Sequence, residues 1–132
     1  MTTTTLHATG PVDPAEVWER YAVPARWPTW APHITGVEVD VPRLIAGTRG
    51  RVRGPGGLAL PFDVEDVDEA GRRWSWRVHA GPVTVHLAHW VVPAPWGGTT
   101  TGLRTTGPAP VVLGYAPLEM WALRRLVRPL AP

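Results

Sequence analysis

The chain has no cysteine, no lysine, no asparagine and a single serine, Ser75, in 132 residues. Without cysteine there are no disulfides, no thiolate metal ligands and no thiol nucleophile. Ser75 falls on the outward side of its strand pattern, with no base in a position to activate it. No uncharged apolar run reaches the ~20 residues that a membrane helix needs. Residues 1–5 carry no basic segment that leads into an apolar stretch, so a cytoplasmic protein without a secretory signal is expected. All 13 basic residues are arginine. Lysine and asparagine have AT-rich codons, and a GC-rich bacterial genome accounts for both absences. The net charge of +2 is too small to point to a nucleic-acid partner. There is no phosphate loop and no dinucleotide fingerprint, and no two histidines share ligand spacing with a carboxylate. Neither a cofactor nor a metal is expected.

What the chain does hold is proline, glycine and tryptophan, at 16, 14 and 8 residues. Its length suits one domain over residues 1–132. A chain of this size buries roughly two-thirds of its unfolded surface, enough for a core with a hole in it. Thr2 to Thr9 is β-branched and reads as a strand with Leu6 and Ala8 inward. Gly10-Pro11 breaks it. Asp13 then suits an N-cap, Pro14 the first helical position and Glu16 the far side of a capping box. This helix runs to about Ala22, with Glu16, Glu19 and Arg20 on a polar arc opposite Val17, Trp18, Tyr21 and Ala22. Pro24 ends it, and Arg26 to Pro32 is a second short helix or a tight loop.

From Ile34 the period switches to two. Val37, Val39 and Val41 alternate with acids. Arg49, Arg51 and Arg53 alternate with Gly50 and Val52, and Leu60, Phe62 and Val64 alternate with Asp63 and Glu65. Trp74, Trp76 and Val78 share one face, as do Val83, Val85, Leu87 and His89. Leu103 is inward on the last strand, Thr99 to Thr106. Gly-rich turns separate the runs, which makes seven strands with the first. On the outward side an acidic row, Asp63 and Glu65, lies between rows of arginine and suits cross-strand pairing. An apolar segment from Val111 to Leu130 closes the chain as a helix.

The early Asp13-Pro14-Ala15-Glu16-Val17-Trp18 helix, the Arg26-Trp27-Pro28-Thr29-Trp30 motif, the meander ending at Gly97-Gly98-Thr99 and the late helix together resemble the START-like helix-grip (SRPBCC) superfamily. Within it the chain looks most like the small polyketide cyclase/dehydrase-like branch. The resemblance implies an α+β helix-grip fold: a seven-stranded curved antiparallel sheet around a long C-terminal helix, with two short helices after the first strand. It also implies a cavity for a hydrophobic or aromatic small molecule.

Within that frame Glu119 is the leading candidate for chemistry. On a helical wheel of about 100° per residue it falls opposite Arg124, Arg125 and Arg128, on a face shared with Val112, Tyr115, Ala122 and Leu126. Two readings stand. If Pro117 begins the helix, Glu119 caps it; if the helix begins near Pro110, Glu119 is a mid-helix carboxyl on an apolar face, suited to general acid–base work. His89 is a second candidate, as a group that shuttles a proton or orients a carbonyl or as a packed residue bonded to backbone, and Tyr115, one turn before Glu119 on the same face, is a partner for that carboxyl or a second ligand contact. Trp18, Tyr21, Phe62, Trp74, Trp76, Leu87, Leu103 and Ala122 are the candidate ligand contacts, with Trp74 and Trp76 as stacking walls and Trp27 and Trp30 as structural. The function expected is a cofactor-independent cyclase or dehydratase-like enzyme of secondary metabolism. The rivals are a hydrophobic carrier without chemistry and a partner-binding module. Outward Trp90 and Trp121 suit the latter, or a homodimer seam.

Overall fold

The structure, a computed structural model, describes residues 1–130. Strand β1 (Thr2–Gly10) leads into helix α1 (Pro14–Ala22), a 3-10 turn at Pro24–Arg26 and helix α2 (Trp27–Trp30). Strands β2 (Gly36–Val39), β3 (Arg49–Arg53), β4 (Ala59–Asp68), β5 (Arg73–Ala80), β6 (Val83–Pro93) and β7 (Thr99–Gly107) follow, and helix α3 (Ala109–Leu126) ends the sequence of elements. The strands form one sheet of seven in the order β1-β7-β6-β5-β4-β3-β2, every neighbouring pair antiparallel. Its concave face carries Phe62, Val64, Trp74, Trp76, Val85, His89, Leu103 and Thr105, all buried, and α1, α2 and α3 pack over it.

The alternation of side chains sets this curvature and its two faces. On the convex face Arg77 donates to Asp63 and Arg53 to Glu38, while Arg49 sits directly across from Asp63. The arginines stand on the outward side as the pattern predicts, but of the expected pairs with Asp63 and Glu65 only Arg77–Asp63 forms, and Arg53 pairs with Glu38 on β2 instead. One departure from strict alternation appears. A bulge between Val64 and Asp66 reverses the parity of β4, so that Val67 rather than Asp66 packs against the core. On β7 the flat indole of Trp90 occupies the space where Gly102 has no side chain; a Cβ there would meet the ring at 2.1 Å. The same indole is edge-on to His7 and lies beneath the Arg104 guanidinium.

The opening helix forms as its sequence dictates, with Asp13 accepting from the Ala15 amide. Glu16 does not complete a capping box. Its carboxylate instead accepts from Arg26 and Arg20, because two guanidiniums within reach make stronger partners than one amide. Arg20 is the larger correction. It is only 6 % exposed, not part of a solvated arc, and its Nη1 donates to the carbonyls of Leu126 (2.8 Å) and Arg128 (2.7 Å). The guanidinium therefore caps the C-terminal end of α3, where carbonyls have no helical partner and the dipole is negative. β1 closes against the same point: Val12 N–H donates to Val127 O, and a Cβ on Gly10 would meet that oxygen at 2.3 Å. Arg125 returns the tie by donating to Trp30 O and Thr29 O at the end of α2.

α3 starts at Ala109 and runs through Pro117. Pro117 lacks an amide and gives up one intrahelical bond, but its position is exposed and the helix continues. The capping role for Glu119 is thereby excluded: it lies in the middle of the helix.

Arg20→Ala is expected to lose about 2–4 kcal/mol, because one buried and one part-buried carbonyl lose a charged donor along with the packing of its stem. Arg53→Ala, which breaks an exposed pair, is expected to lose less than about 1 kcal/mol. Urea titration of both variants checks the contrast; equal losses would remove Arg20 from its anchoring role.

Candidate functional site

A cavity of about 480 Å³ lies between the concave sheet and α3. Trp76, Val78, Val85, Leu87 and Leu103 form its floor, and Val111, Leu118 and Ala122 its roof. The segment Trp30–Ile34 closes one side, and Leu58 and Pro55 from the β3–β4 turn close another. Tyr115, 40 % exposed, and Trp121, 54 % exposed, also line it from α3 and reach solvent. The wall is almost wholly aliphatic and aromatic, the character of a small-molecule site.

Against that wall stands Glu119, 8 % exposed. It faces inward because residues 112, 119 and 126 recur at heptad spacing on the α3 face that buries Val112 and Leu126. Thr105 Oγ1 donates to Glu119 Oε2 at 2.7 Å, and Oε1 is buried without a partner. Burial raises the carboxyl's pKa, and the threonine hydrogen bond offsets part of that rise. With Oε2 engaged as an acceptor, the proton of the neutral acid belongs on Oε1.

His89 lies on the floor, directly across from Leu103 and one pleat repeat from Thr105. Its ring stacks on Trp74 with centroids 4.6 Å apart and planes 9° apart, and Tyr21 meets it edge-on at 4.9 Å. Trp76 Nε1–H donates to its Nε2 at 3.0 Å. Indole N–H is a donor only, so Nε2 must carry the lone pair and Nδ1 the proton. Protonating Nε2 would set two donors against each other inside the protein, and desolvation alone lowers the pKa to about 3. His89 is therefore a neutral imidazole, held by a tryptophan rather than by backbone. His33, also on the cavity wall, is lowered by burial as well.

Of the candidate contacts, Trp76, Leu87, Leu103 and Ala122 line the cavity, as do Glu119, His89 and Tyr115. Tyr115 makes no hydrogen bond to Glu119; it stands half out at the surface. Trp18, Tyr21, Phe62 and Trp74 do not reach the wall. Trp18 donates to Glu69, which also receives Arg43, and Tyr21 hydroxyl pairs with Thr101. Phe62 and Trp74 pack around Trp27 and Trp76. These residues fill the end of the groove under α1 and α2, because an aromatic stripe shared by two helices and a sheet is denser than a ligand site. Trp30, by contrast, lines the cavity while its indole donates to Arg20 O. Thr105 is the residue missed; the parity that puts Leu103 inward also puts Thr105 inward. Among the described residues no group of three His, Asp or Glu is placed to hold a metal. Among the described residues no helix is long and apolar enough to cross a membrane.

A family profile described as polyketide cyclase / dehydrase and lipid transport matches residues 1–130. No curated protein sequence matches the chain. Among solved structures, XoxI from Bacillus cereus is similar at 17 % identity and a TM-score of 0.81, with 96 % of this chain and 94 % of that one covered. Ara h 8.0201 is similar at 18 % identity and a TM-score of 0.75, covering 95 % and 94 %. BexL, the di-domain ARO/CYC from the BE-7585A biosynthetic pathway, is similar at 19 % identity and a TM-score of 0.79, covering 96 % of this chain and 45 % of BexL. At these identities the likeness is one of fold.

The state of His89 has a pH signature. Its folded pKa is depressed, so the stability that comes from its neutrality is complete above the unfolded value near 6.5 and is lost as pH falls toward about 3. Over that window stability is expected to drop by up to ~1.4 kcal/mol per pH unit relative to a His89→Phe variant. The comparison is needed because Glu119, with a raised pKa, acts in the opposite direction. Urea titrations from pH 7 to 4 check this, and parallel curves would mean that His89 is charged in the folded protein.

Proposed function

The chain belongs to the polyketide cyclase/dehydrase and lipid transport family, and from that premise we propose a small, cofactor-independent enzyme that cyclises or dehydrates an apolar polyketide-type metabolite inside the cavity. The observation that supports this is Glu119: a mid-helix carboxyl in an apolar wall, one oxygen fixed by Thr105 and the other free. A desolvated carboxyl with a raised pKa holds its proton closer to neutral pH, where it can both give and take one. Its role is to deliver a proton from Oε1 to a carbonyl or departing hydroxyl and recover one from the adjacent carbon. The cavity holds the chain in one folded conformer and keeps water out. Trp76, Leu87, Leu103 and Ala122 supply the shape, and Trp18, Tyr21, Phe62 and Trp74 brace those walls from behind. His89 contributes a neutral hydrogen-bonding group, and Tyr115 a hydroxyl at the surface end. BexL, described as an ARO/CYC, is a fold neighbour with which this chemistry is in keeping.

A second reading is a hydrophobic carrier without chemistry. What favours it is the same state of His89: with that imidazole neutral and already accepting from Trp76, Glu119 has no second proton carrier of matched pKa beside it.

The two readings separate with a metabolite extract incubated with protein and resolved into bound and free fractions by mass spectrometry. The expected result is a compound consumed by the wild type and consumed ~100-fold more slowly by Glu119→Gln, while both retain it. Unchanged turnover in Glu119→Gln would exclude its catalytic role, and retention without conversion by either protein would establish the carrier. The raised pKa carries its own consequence. Its stability contribution is complete below the unfolded value of 4.5 and declines as pH rises through the folded value. Glu119→Gln is therefore expected to melt above the wild type at pH 8, which a thermal scan checks; a lower melting point would show that the carboxylate stabilises the fold.

A further inference from the structure

We infer that the cavity is a charge filter set by Glu119: it takes an uncharged hydrophobe and rejects the same skeleton carrying a carboxylate, sulfonate or phosphate. The inference rests on the ligand-binding reading of this cavity and not on catalysis. Its basis is the set of ionisable side chains on the wall. Among the described residues Glu119 is the only carboxyl on the wall, and the charge it takes when it ionises is negative. The imidazoles of His33 and His89 are both kept neutral by burial. Thr105 and Tyr115 offer hydroxyls, and among the described residues no arginine lines the cavity.

All 13 arginines are spent elsewhere or face away. Arg20 and Arg125 cap helix ends, Arg43 bridges Glu19 and Glu69, and Arg49, Arg51 and Arg53 stand on the convex face. An anion brought inside would shed its hydration, find no cation to replace it and face the unpartnered Oε1 of Glu119. An uncharged ligand loses only apolar hydration, and a hydroxyl or N–H on it would satisfy Oε1. The filter thus excludes free fatty and aromatic acids and admits their neutral counterparts: ketones, phenols, esters and amides.

A matched pair of fluorescent probes tests this at pH 8. N-phenyl-1-naphthylamine is neutral, and 8-anilinonaphthalene-1-sulfonate is the same skeleton with one sulfonate. The wild type is expected to bind the neutral probe at least tenfold more tightly. Glu119→Gln is expected to narrow the ratio between the two affinities to under about threefold by strengthening the anion. Ala122→Phe, which fills the cavity, is expected to lose the neutral probe and so places it there. A wild-type gap under threefold, or a gap that Glu119→Gln leaves unchanged, overturns the filter while leaving cavity binding intact. Failure of the wild type to bind either probe would instead overturn the ligand-binding reading beneath it.

Discussion

A buried arginine sets the position of everything that faces the cavity. Arg20 lies on α1, yet its guanidinium ends on the last carbonyls of α3, more than a hundred residues later in the chain. Taking a cation out of water is costly unless its donors are met. Here they are met by carbonyls that carry the negative end of a helix dipole, so each side needs the other. Once the end of α3 is pinned between Arg20 and β1, the helix has one line of approach over the sheet. Its heptad face then puts Glu119 above Thr105 and Ala122 over the floor. Arg125 ties α2 to α3 in the same way, so the segment Trp30–Ile34 closes the cavity at a fixed distance.

The groove is filled at one end and open at the other. Under α1 and α2, Trp27, Phe62, Trp74 and Trp76 pack ring against ring at centroid spacings of 5.1–5.7 Å, which leaves no room for a guest. Beyond Trp76 the side chains become mostly aliphatic and the space opens. The polar groups stand at this boundary. Glu119 Oε1 and His89 Nδ1 are both buried without partners, a cost that a fold selected for stability alone would avoid. Leaving them unmatched makes sense where a ligand supplies the missing partner.

Much of this was legible in the chain. Period-two alternation gave the inward rows of β4, β5 and β6 and the outward side of the arginines, because one buried face specifies register strongly. Asp13-Pro14 marked the start of α1, and the wheel of α3 put Glu119 inside. The rest depended on contacts between distant segments. Arg20 reads as a solvated residue on α1 until the end of α3 arrives beside it. The start of α3 stayed open because a proline fits both the first turn and, at an exposed position, the middle of a helix. Which tryptophans line the cavity also could not be read from parity. Trp74 and Trp76 share a face, and only the placement of α2 decides that Trp76 meets the cavity and Trp74 the core. The bulge in β4 shows in the sequence only as two consecutive acids, Glu65-Asp66, between Val64 and Val67.

The central claim is that Glu119 is a desolvated carboxyl on the wall of an apolar ligand cavity. A carbon-13 NMR titration of the glutamate carboxyls, assigned by the loss of one signal in Glu119→Gln, tests it directly. The account predicts a midpoint for Glu119 above its ordinary value, and a further rise in Thr105→Val as the stabilising hydrogen bond is removed. An ordinary midpoint that is indifferent to Thr105 would mean that water reaches the carboxylate freely, and the site as described would not exist.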